Sequence, residues 1–116
     1  MFIIIERRCC VLGYAFISYS STNQALADSL RTLFNQNEID TWMAPYDIPA
    51  GSEYAEVIYN ALSDCSCLVL VLTDNSQNSI WVKKEVNIAI SNSKVVIPLK
   101  LEDIELNSSM RFYLND

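Results

Sequence analysis

The sequence predicts an α/β domain with a parallel β-sheet and helices on both of its faces. Four short apolar segments indicate strands at residues 14–19, 39–43, 67–73 and 94–99, and helical patterns separate them. The resulting order, βαβαβαβ, is typical of a parallel sheet with right-handed crossovers. We predict four strands in the order 2-1-3-4, with three strand-to-helix connections at the carboxyl edge, where such sheets bind ligands.

Composition limits the ligands that the chain can bind. The 116 residues suffice for one compact domain, and 51% of them are hydrophobic. Fourteen acidic residues against eight basic ones give a net charge of −6, which disfavours binding to nucleic acid or an anionic membrane. The chain has no histidine, so the commonest general base and metal ligand is missing, and we expect no metal site.

Residues 1–13 match no predicted element and are treated as an unassigned N-terminal extension. Residues 1–5 are apolar, but charges follow them, which is the reverse of a signal peptide, and five residues cannot span a bilayer. The cysteines lack the paired spacing of a zinc site and are expected to stay reduced. They are Cys9, Cys10, Cys65 and Cys67. The chain is therefore predicted to be soluble and cytoplasmic.

The first strand leads into a helix through small hydroxyl residues. Ser21, with Gln24 three residues later, matches a capping box, and the helix is predicted to continue to about residue 37. Its apolar face comprises Leu26, Leu30, Leu33 and Phe34. These serines cap the helix, and the same helix N-terminus presents amides to an anion, so capping and ligand binding both remain open.

The segment richest in turn residues, residues 44–51, follows the second strand. Two prolines stiffen it, and Tyr46 and Ile48 are predicted to be exposed tips that mark a contact surface. The alternative is that they pack against the base of the loop. Ser52 is predicted to cap the next helix. The buried face of that helix comprises Tyr54, Ile58, Ala61, Leu62 and Cys65.

The third strand, residues 67–73, is the most apolar stretch and is predicted to be buried on both faces. Ser79 is the predicted N-cap of the helix that follows, residues 79–92. The core face of that helix comprises Val82, Val86, Ala89 and Ile90. Glu85, in its second turn, has Trp81 as a neighbour and no helical ion-pair partner. A carboxylate with apolar neighbours at this edge is a candidate for a raised pKa and for catalysis; the alternative is a half-exposed surface glutamate.

The fourth predicted strand, residues 94–99, carries Pro98 near its end, as an edge strand allows. Residues 110–116 are apolar enough to pack on the domain, but no closing strand or helix follows them, so either the fold is minimal or the chain is cut short. The domain is therefore predicted to be short at its C-terminus.

Several motifs, in the right order and at the right intervals, resemble a bacterial-type TIR (Toll/interleukin-1 receptor) domain. They are AFISYS at residues 15–20 with its following helix, WMAPYDIPAG at 42–51 with its following helix, LVLVLT at 68–73, and SIWVKKE at 79–85. The resemblance covers residues 14–116 and implies a flavodoxin-like three-layer sandwich with a four- to five-stranded parallel sheet. Family members usually continue into a final strand and helix, which are not apparent here.

Many bacterial members of this family cleave NAD⁺ at the nicotinamide–ribose bond. The resemblance therefore implies an NAD⁺ nucleosidase, with NAD⁺ as its substrate and no cofactor. Carried over, the catalytic glutamate is Glu85. Residues assigned to substrate binding are Trp81, Tyr19, Ser20, Ser21, Ala44 and Lys84. The loop at residues 44–51 corresponds to the family's self-association loop, which also gates the site. Its assigned interface residues are Tyr46, Asp47, Ile48, Pro49 and Gly51.

The resemblance also implies a role in immune or cell-death signalling, including bacterial anti-phage defence, with activation by homotypic TIR–TIR assembly. The product is ADP-ribose or a cyclic isomer, depending on the nucleophile. The alternative is a non-catalytic TIR adaptor, which would use the same loop and need no acid at position 85. Where many members carry a charged residue after the first strand, this chain has Ser20 and Ser21.

Overall fold

The computed structural model describes residues 13–114. The predictions for Cys9, Cys10 and residues 1–12 of the N-terminal extension lie outside the described residues, as do Asn115 and Asp116. The strands are β1 (Ala15–Ser18), β2 (Thr41–Trp42), β3 (Cys67–Leu72) and β4 (Val95–Lys100). The helices are α1 (Gln24–Gln36), α2 (Tyr54–Asp64), α3 (Asp74–Gln77), α4 (Ile80–Ser91) and α5 (Ser108–Leu114), and a 3₁₀ turn spans Ser21–Asn23.

The predicted sheet is confirmed. Within residues 13–114 four strands pair in parallel in the order β2-β1-β3-β4. All six residues of β3 are buried, as the apolar stretch predicts. Ser18, the last residue of β1, lies opposite Leu70 of β3. Strand β3 continues for two more residues, to Leu72. This register places the end of β1 at the carboxyl edge, close to the segments that follow β3.

The sheet has a separate apolar core on each face, which gives the three-layer sandwich. Helix α1 covers one face with Ala27, Leu30 and Phe34, which pack with Ile17 and Val69. The opposite face packs against α2, α4 and α5. Its buried residues include Phe16, Leu68, Leu70, Ile58, Leu62, Val82, Val86 and Met110.

The predicted helical faces are correct at their centres and wrong at their margins. Four residues assigned to buried faces are exposed: Leu26, Leu33, Tyr54 and Ile90. In α1 the pattern missed the buried residue Ala27, whose small side chain lets the helix approach the sheet closely. A periodic pattern locates the middle of an apolar stripe but not the point where the neighbouring element stops covering it.

The serine caps predicted for the first two helices, Ser21 and Ser52, are both wrong. At the first, Ser20 and not Ser21 is the cap, and its hydroxyl accepts a hydrogen bond from the Thr22 N–H across the 3₁₀ turn. At the second, α2 begins one residue later than expected, and the hydroxyl of Ser52 donates instead to the Pro49 carbonyl. The Ser79 cap of α4 is confirmed, since its hydroxyl accepts from the Val82 N–H.

Two helices form where the sequence predicts none. Helix α3 lies within the predicted polar connection after β3 and starts at a capping box made by Thr73 and Ser76. Helix α5 lies at the end of the described chain and buries Met110 completely. Asn107 caps α5 by accepting from the Met110 N–H. A four-residue helix and a seven-residue helix are too short to show a periodic signal.

No helix within residues 13–114 combines the length and apolar character needed to cross a membrane.

Candidate active site

The end of β1 and the second turn of α4 together form the centre of the site. Side chains alternate along a strand, so Ser18 faces the same side of the sheet as Phe16. That side carries α4, whose Val82 and Val86 are completely buried against it. Glu85 lies between these two valines in the sequence and is thereby held above the end of β1.

Glu85 is almost completely buried, with 8% of its surface exposed. Its Oε1 accepts a hydrogen bond from the Ser18 Oγ at 2.8 Å. Burial raises the pKa of Glu85 to about 7, because a carboxylate loses its hydration there, and the Ser18 hydroxyl opposes this rise by donating to the charged form. The expectation of a raised pKa is therefore supported, and the alternative of a half-exposed surface glutamate is wrong.

Glu85 lines a cleft of about 300 Å³ at the carboxyl edge of the sheet. The walls come from the end of β1, the loop after β2, α2 and the start of α4. The lining residues are Ile17, Tyr19, Ser20, Ser21, Ala44, Tyr54, Ile58, Ser79, Trp81 and Glu85. Glu85 is the only charged residue among them, so a ligand in this cleft meets aromatic rings, hydroxyl groups and one carboxyl group.

Five of the six residues predicted to bind substrate line this cleft: Trp81, Tyr19, Ser20, Ser21 and Ala44. The Tyr19 hydroxyl donates to the Ala44 carbonyl, which ties the end of β1 to the loop after β2. Burial is the main reason why the pKa of Tyr19 is raised, so the phenol stays protonated at neutral pH.

Lys84 does not line the cleft, so the structure does not bring it to the predicted site. Its side chain is exposed, and its Nζ lies 5.5 Å from the centre of the Trp81 ring. Lys84 adjoins Glu85 in the sequence, but consecutive residues of a helix point about 100° apart. Lys84 therefore lies against the Trp81 ring, and Trp81 in turn lines the cleft.

Four lining residues were not predicted as site residues: Ile17, Tyr54, Ile58 and Ser79. Ser18, the partner of Glu85, was likewise not predicted as a site residue. Ser18 does leave a signal, since it is the one polar residue of a strand that is otherwise Ala-Phe-Ile. Tyr54 and Ile58 were assigned to the core, because helical spacing does not distinguish a core face from a cleft wall.

The loop at residues 44–51 is tethered to α1. The Tyr46 hydroxyl donates to Asp28 Oδ1 at 2.8 Å, and the Arg31 guanidinium lies 4.5 Å from the centre of the Tyr46 ring. Even so, half of the Tyr46 surface is exposed, as predicted for a tip residue. Asp47 is turned inwards, where its carboxylate accepts from the Met43 N–H.

The prediction that Ile48 is an exposed tip is wrong. Its side chain is half-buried and packs against the core cluster beneath α2 and α4. The other loop residues assigned to the interface, Pro49 and Gly51, are exposed. Gly51 has a φ of 80°, a conformation that other residues adopt only with strain. The alternative of packing on the loop base therefore holds for Ile48 and not for Tyr46.

Within residues 13–114 no group of three or more cysteine, aspartate or glutamate side chains is arranged to hold a metal ion. The side chains that line the cleft supply one carboxyl group, several hydroxyl groups and aromatic rings.

Among residues 13–114, the fold and site define a parallel α/β domain with a single buried carboxyl group at the carboxyl edge of its sheet. The family model described as "TIR domain" matches residues 15–115. The chain therefore belongs to the TIR domain family. No relative was found among curated protein sequences.

Solved structures with the same fold are TIR domains from diverse proteins. The TIR domain of the Toll-related receptor TRR-2 from Hydra magnipapillata aligns with a TM-score of 0.74 at 18% identity, over 84% of this chain and 77% of that one. A TIR-STING receptor from C. gigas aligns with a TM-score of 0.72 at 21% identity, over 97% of this chain and 39% of the receptor chain. At these identities the likeness concerns the fold.

The TIR domains of the activated Roq1 resistosome, which recognises the pathogen effector XopQ, align with a TM-score of 0.67 at 18% identity. The alignment covers 74% of this chain and 55% of that one. The chain thus spans about half of the Roq1 chain and well under half of the TIR-STING receptor.

Proposed function

We propose that this TIR domain is an NAD⁺ nucleosidase that cleaves the bond between nicotinamide and ribose. The observation that carries the proposal is Glu85, a buried carboxyl group that lines the cleft and has a pKa of about 7. A glutamate with a purely structural role gains little there, because burying a carboxylate with one hydrogen bond costs stability. Burial combined with a shifted pKa in a cleft is characteristic of catalytic groups.

The leaving group explains why one carboxylate suffices. In NAD⁺ the bond joins C1′ of the ribose to a positively charged nicotinamide nitrogen. When this bond breaks, the electron pair leaves with the nitrogen, so nicotinamide departs neutral and no acid is needed to protonate it. Positive charge develops on the ribose, and the Glu85 carboxylate stabilises it directly or through hydrogen bonds to the ribose hydroxyls.

The reaction is completed by a nucleophile that adds to C1′. Water gives ADP-ribose and releases one proton, which a carboxylate with a pKa near neutrality is suited to accept. Attack by an adenine nitrogen of the same molecule gives a cyclic isomer instead. Both routes use the same bond cleavage at Glu85 and differ only in which nucleophile reaches C1′.

The walls of the cleft suit a planar ring beside the ribose. Tyr19, Tyr54 and Trp81 all line it, and aromatic rings stack on nicotinamide or adenine. Its volume of about 300 Å³ lies at the lower end of the range for ligand pockets, roughly 300–1,000 Å³. We therefore place the nicotinamide and its ribose in the cleft, with the remainder of NAD⁺ along the protein surface.

We further propose that the loop at residues 44–51 joins copies of the domain and that assembly activates the site. In support, the same loop supplies Ala44 to the cleft and presents Tyr46 at the surface. A contact made by this loop is therefore coupled through a few residues to the wall of the cleft.

The proposed function is tested by incubating the purified protein with NAD⁺ at low and high protein concentration. Chromatography then resolves nicotinamide, ADP-ribose and cyclic isomers. We expect nicotinamide with one of the two adenine-containing products, and more of it per protein molecule at high concentration. If assembled protein consumes no NAD⁺, the enzyme assignment fails and the adaptor role is favoured.

Self-association through the loop is tested with Ala50→Arg. Ala50 is exposed on the loop, so the charge disturbs a contact there without entering the core, as a charge at the half-buried Ile48 would. Light scattering should show weaker assembly, with the same thermal stability. Asn87→Arg, an exposed site on α4, is the control. Assembly of Ala50→Arg at the parent concentration would remove the loop from the interface.

A further inference from the structure

We infer that Ser18 is a positioning residue for Glu85: its hydroxyl holds one oxygen of the carboxylate and leaves the other for the substrate. The inference rests on the proposed NAD⁺ cleavage at Glu85 and adds to it the group that fixes the carboxylate. Ser18 is thereby assigned a role in turnover that its place in a buried strand does not require.

The hydrogen bond between the two side chains joins separate elements of the fold. Ser18 is completely buried, and its Oγ donates to Glu85 Oε1 at 2.8 Å. Within residues 13–114 no second group donates a hydrogen bond to the Glu85 carboxyl. One oxygen is therefore occupied, and Oε2 remains available to a ribose hydroxyl or to developing positive charge.

The backbone of Ser18 cannot shift readily. It belongs to β1, which is flanked by β2 and β3 in the sheet, and it pairs with Leu70 of β3. Glutamate has three rotatable side-chain bonds, whereas serine has one, so the serine acts as a fixed point for a flexible partner. Catalytic groups need such support, since a displacement of about 1 Å can cost a large part of the rate.

The same hydrogen bond favours the charged form of Glu85. Burial raises the pKa of Glu85, and donation from the Ser18 hydroxyl lowers it. The other titratable groups of the cleft are the phenols Tyr19, from the end of β1, and Tyr54, from α2. The charged groups of the other elements packed on α4 do not line the cleft. They include Asp74 of α3, Lys100 of β4 and Arg111 of α5.

A purely structural reading makes a different prediction. If Ser18 merely needs an acceptor for its buried hydroxyl, it bonds the neutral and the charged carboxyl group equally well, so removing the hydroxyl changes stability but not the protonation of Glu85. If Ser18 positions and charges Glu85, removing it raises the pKa of the carboxyl group. The dependence of turnover on pH separates these two readings, whereas a rate at one pH does not.

The experiment compares nicotinamide release by the parent, Ser18→Ala and Ser18→Cys from pH 5 to pH 9. Turnover should rise with pH as Glu85 loses its proton. For Ser18→Ala this rise should move up by roughly one pH unit, the effect of one hydrogen bond to a charged group. At pH 7 the charged fraction, and the rate with it, should fall about fivefold. Ser18→Cys keeps a weak donor and should fall between the two.

Ser29→Ala is the matched control, because Ser29 is exposed on α1 and donates to the Ala25 carbonyl of its own helix. Its pH profile should coincide with that of the parent. A Ser18→Ala profile that coincides with the parent profile would overturn the inference. If Ser18→Ala does not fold, the Ser18→Cys profile decides in the same way.

A second readout does not depend on activity. Carbon-13 NMR of side-chain carboxyl groups follows the Glu85 titration directly, and the signal is assigned by its absence in Glu85→Gln. An upward shift of this titration in Ser18→Ala shows that the Ser18 hydroxyl stabilises the charged carboxyl group of Glu85, even if the parent consumes no NAD⁺. An unchanged titration rejects that role even if NAD⁺ cleavage at Glu85 is demonstrated.

Discussion

Gln77 and Glu85 are both polar side chains buried near the carboxyl edge of the sheet, but their hydrogen bonding differs. Gln77 is 3% exposed, and its amide nitrogen donates to Asp74 Oδ1 and to the Glu105 carbonyl, each at 2.9 Å. Its amide oxygen accepts from the Asn107 N–H at 2.8 Å. Gln77 thus connects α3 to the segment that leads into α5.

Glu85 has far fewer partners at a similar depth. Its exposed fraction is 8%, and Ser18 is the one donor to it within residues 13–114. Buried polar groups are normally hydrogen-bonded, and a group with spare capacity requires an explanation. The three hydrogen bonds of the Gln77 side chain are what a buried structural group needs. Glu85 has one such bond and faces a cleft, so its unused hydrogen-bonding capacity suits a ligand.

The largest expected contrast between the two residues lies in the pH dependence of stability. The pKa of Glu85 is about 7 in the fold against 4.5 for the ordinary group, so folding favours the protonated form. The benefit is present below about pH 4.5 and is lost as the pH rises through 7. Between pH 5 and pH 8 the parent should lose about 2.5 kcal/mol that Glu85→Gln keeps.

Urea unfolding of the parent and of Glu85→Gln at both pH values measures this difference directly. Other titrating groups are common to the two proteins and cancel. Glu56→Gln, at an exposed position on α2, serves as the control and should follow the parent. A constant difference between parent and Glu85→Gln from pH 5 to pH 8 would mean that the Glu85 pKa is not raised.

For Gln77 we expect a loss of stability that hardly depends on pH. Gln77→Ala removes three side-chain hydrogen bonds and leaves the N–H of the half-buried Asn107 without its partner. The loss should be about 2 kcal/mol in the free energy of unfolding, with little dependence on pH. Thermal unfolding against Asn87→Ala, an exposed residue of α4, measures it. Below the melting temperature, NAD⁺ cleavage per folded molecule should be unchanged, and a specific loss of cleavage would place Gln77 in the site.

The smallest effect is expected at the aromatic wall of the cleft. Tyr54 and Tyr59 lie on α2 with similar exposure, 56% and 52%, but only Tyr54 lines the cleft. Tyr54→Ala should raise the KM for NAD⁺ about 3- to 10-fold by removing a stacking surface, and Tyr54→Phe should not. Tyr59→Ala should leave KM unchanged. Equal effects of the two alanine variants would show that Tyr54 acts through the stability of α2.

The sequence was sufficient for the strand order and for the position of Glu85 at the carboxyl edge of the sheet. Alternation of short apolar runs with helical patterns determines a parallel sheet, and spacing from Trp81 places Glu85 on the side of α4 next to its core face. Its partner could not be found in this way. Ser18 is 67 residues away in sequence, and only the packing of α4 on β1 brings the two side chains together.

The errors share a physical cause, which is that local patterns do not specify what covers a side chain. Ile48 was predicted to be exposed because two prolines stiffen its loop, yet the chain path turns it onto the core. Lys84 was predicted to bind substrate, but helical rotation directs it away from the cleft. The Gln77 network was missed because α3 has only four residues and its partners follow β4.

The central claim is that Glu85 is the group that cleaves NAD⁺, and the most direct test is nicotinamide release by the parent and by Glu85→Gln. The amide keeps the shape of the side chain, its acceptor for Ser18 and the fold, but it lacks the negative charge. At equal protein concentration and pH 8, Glu85→Gln should be slower by about 10²–10³-fold, the usual cost of removing one electrostatic stabiliser of a transition state. Release at the parent rate by correctly folded Glu85→Gln would contradict the claim.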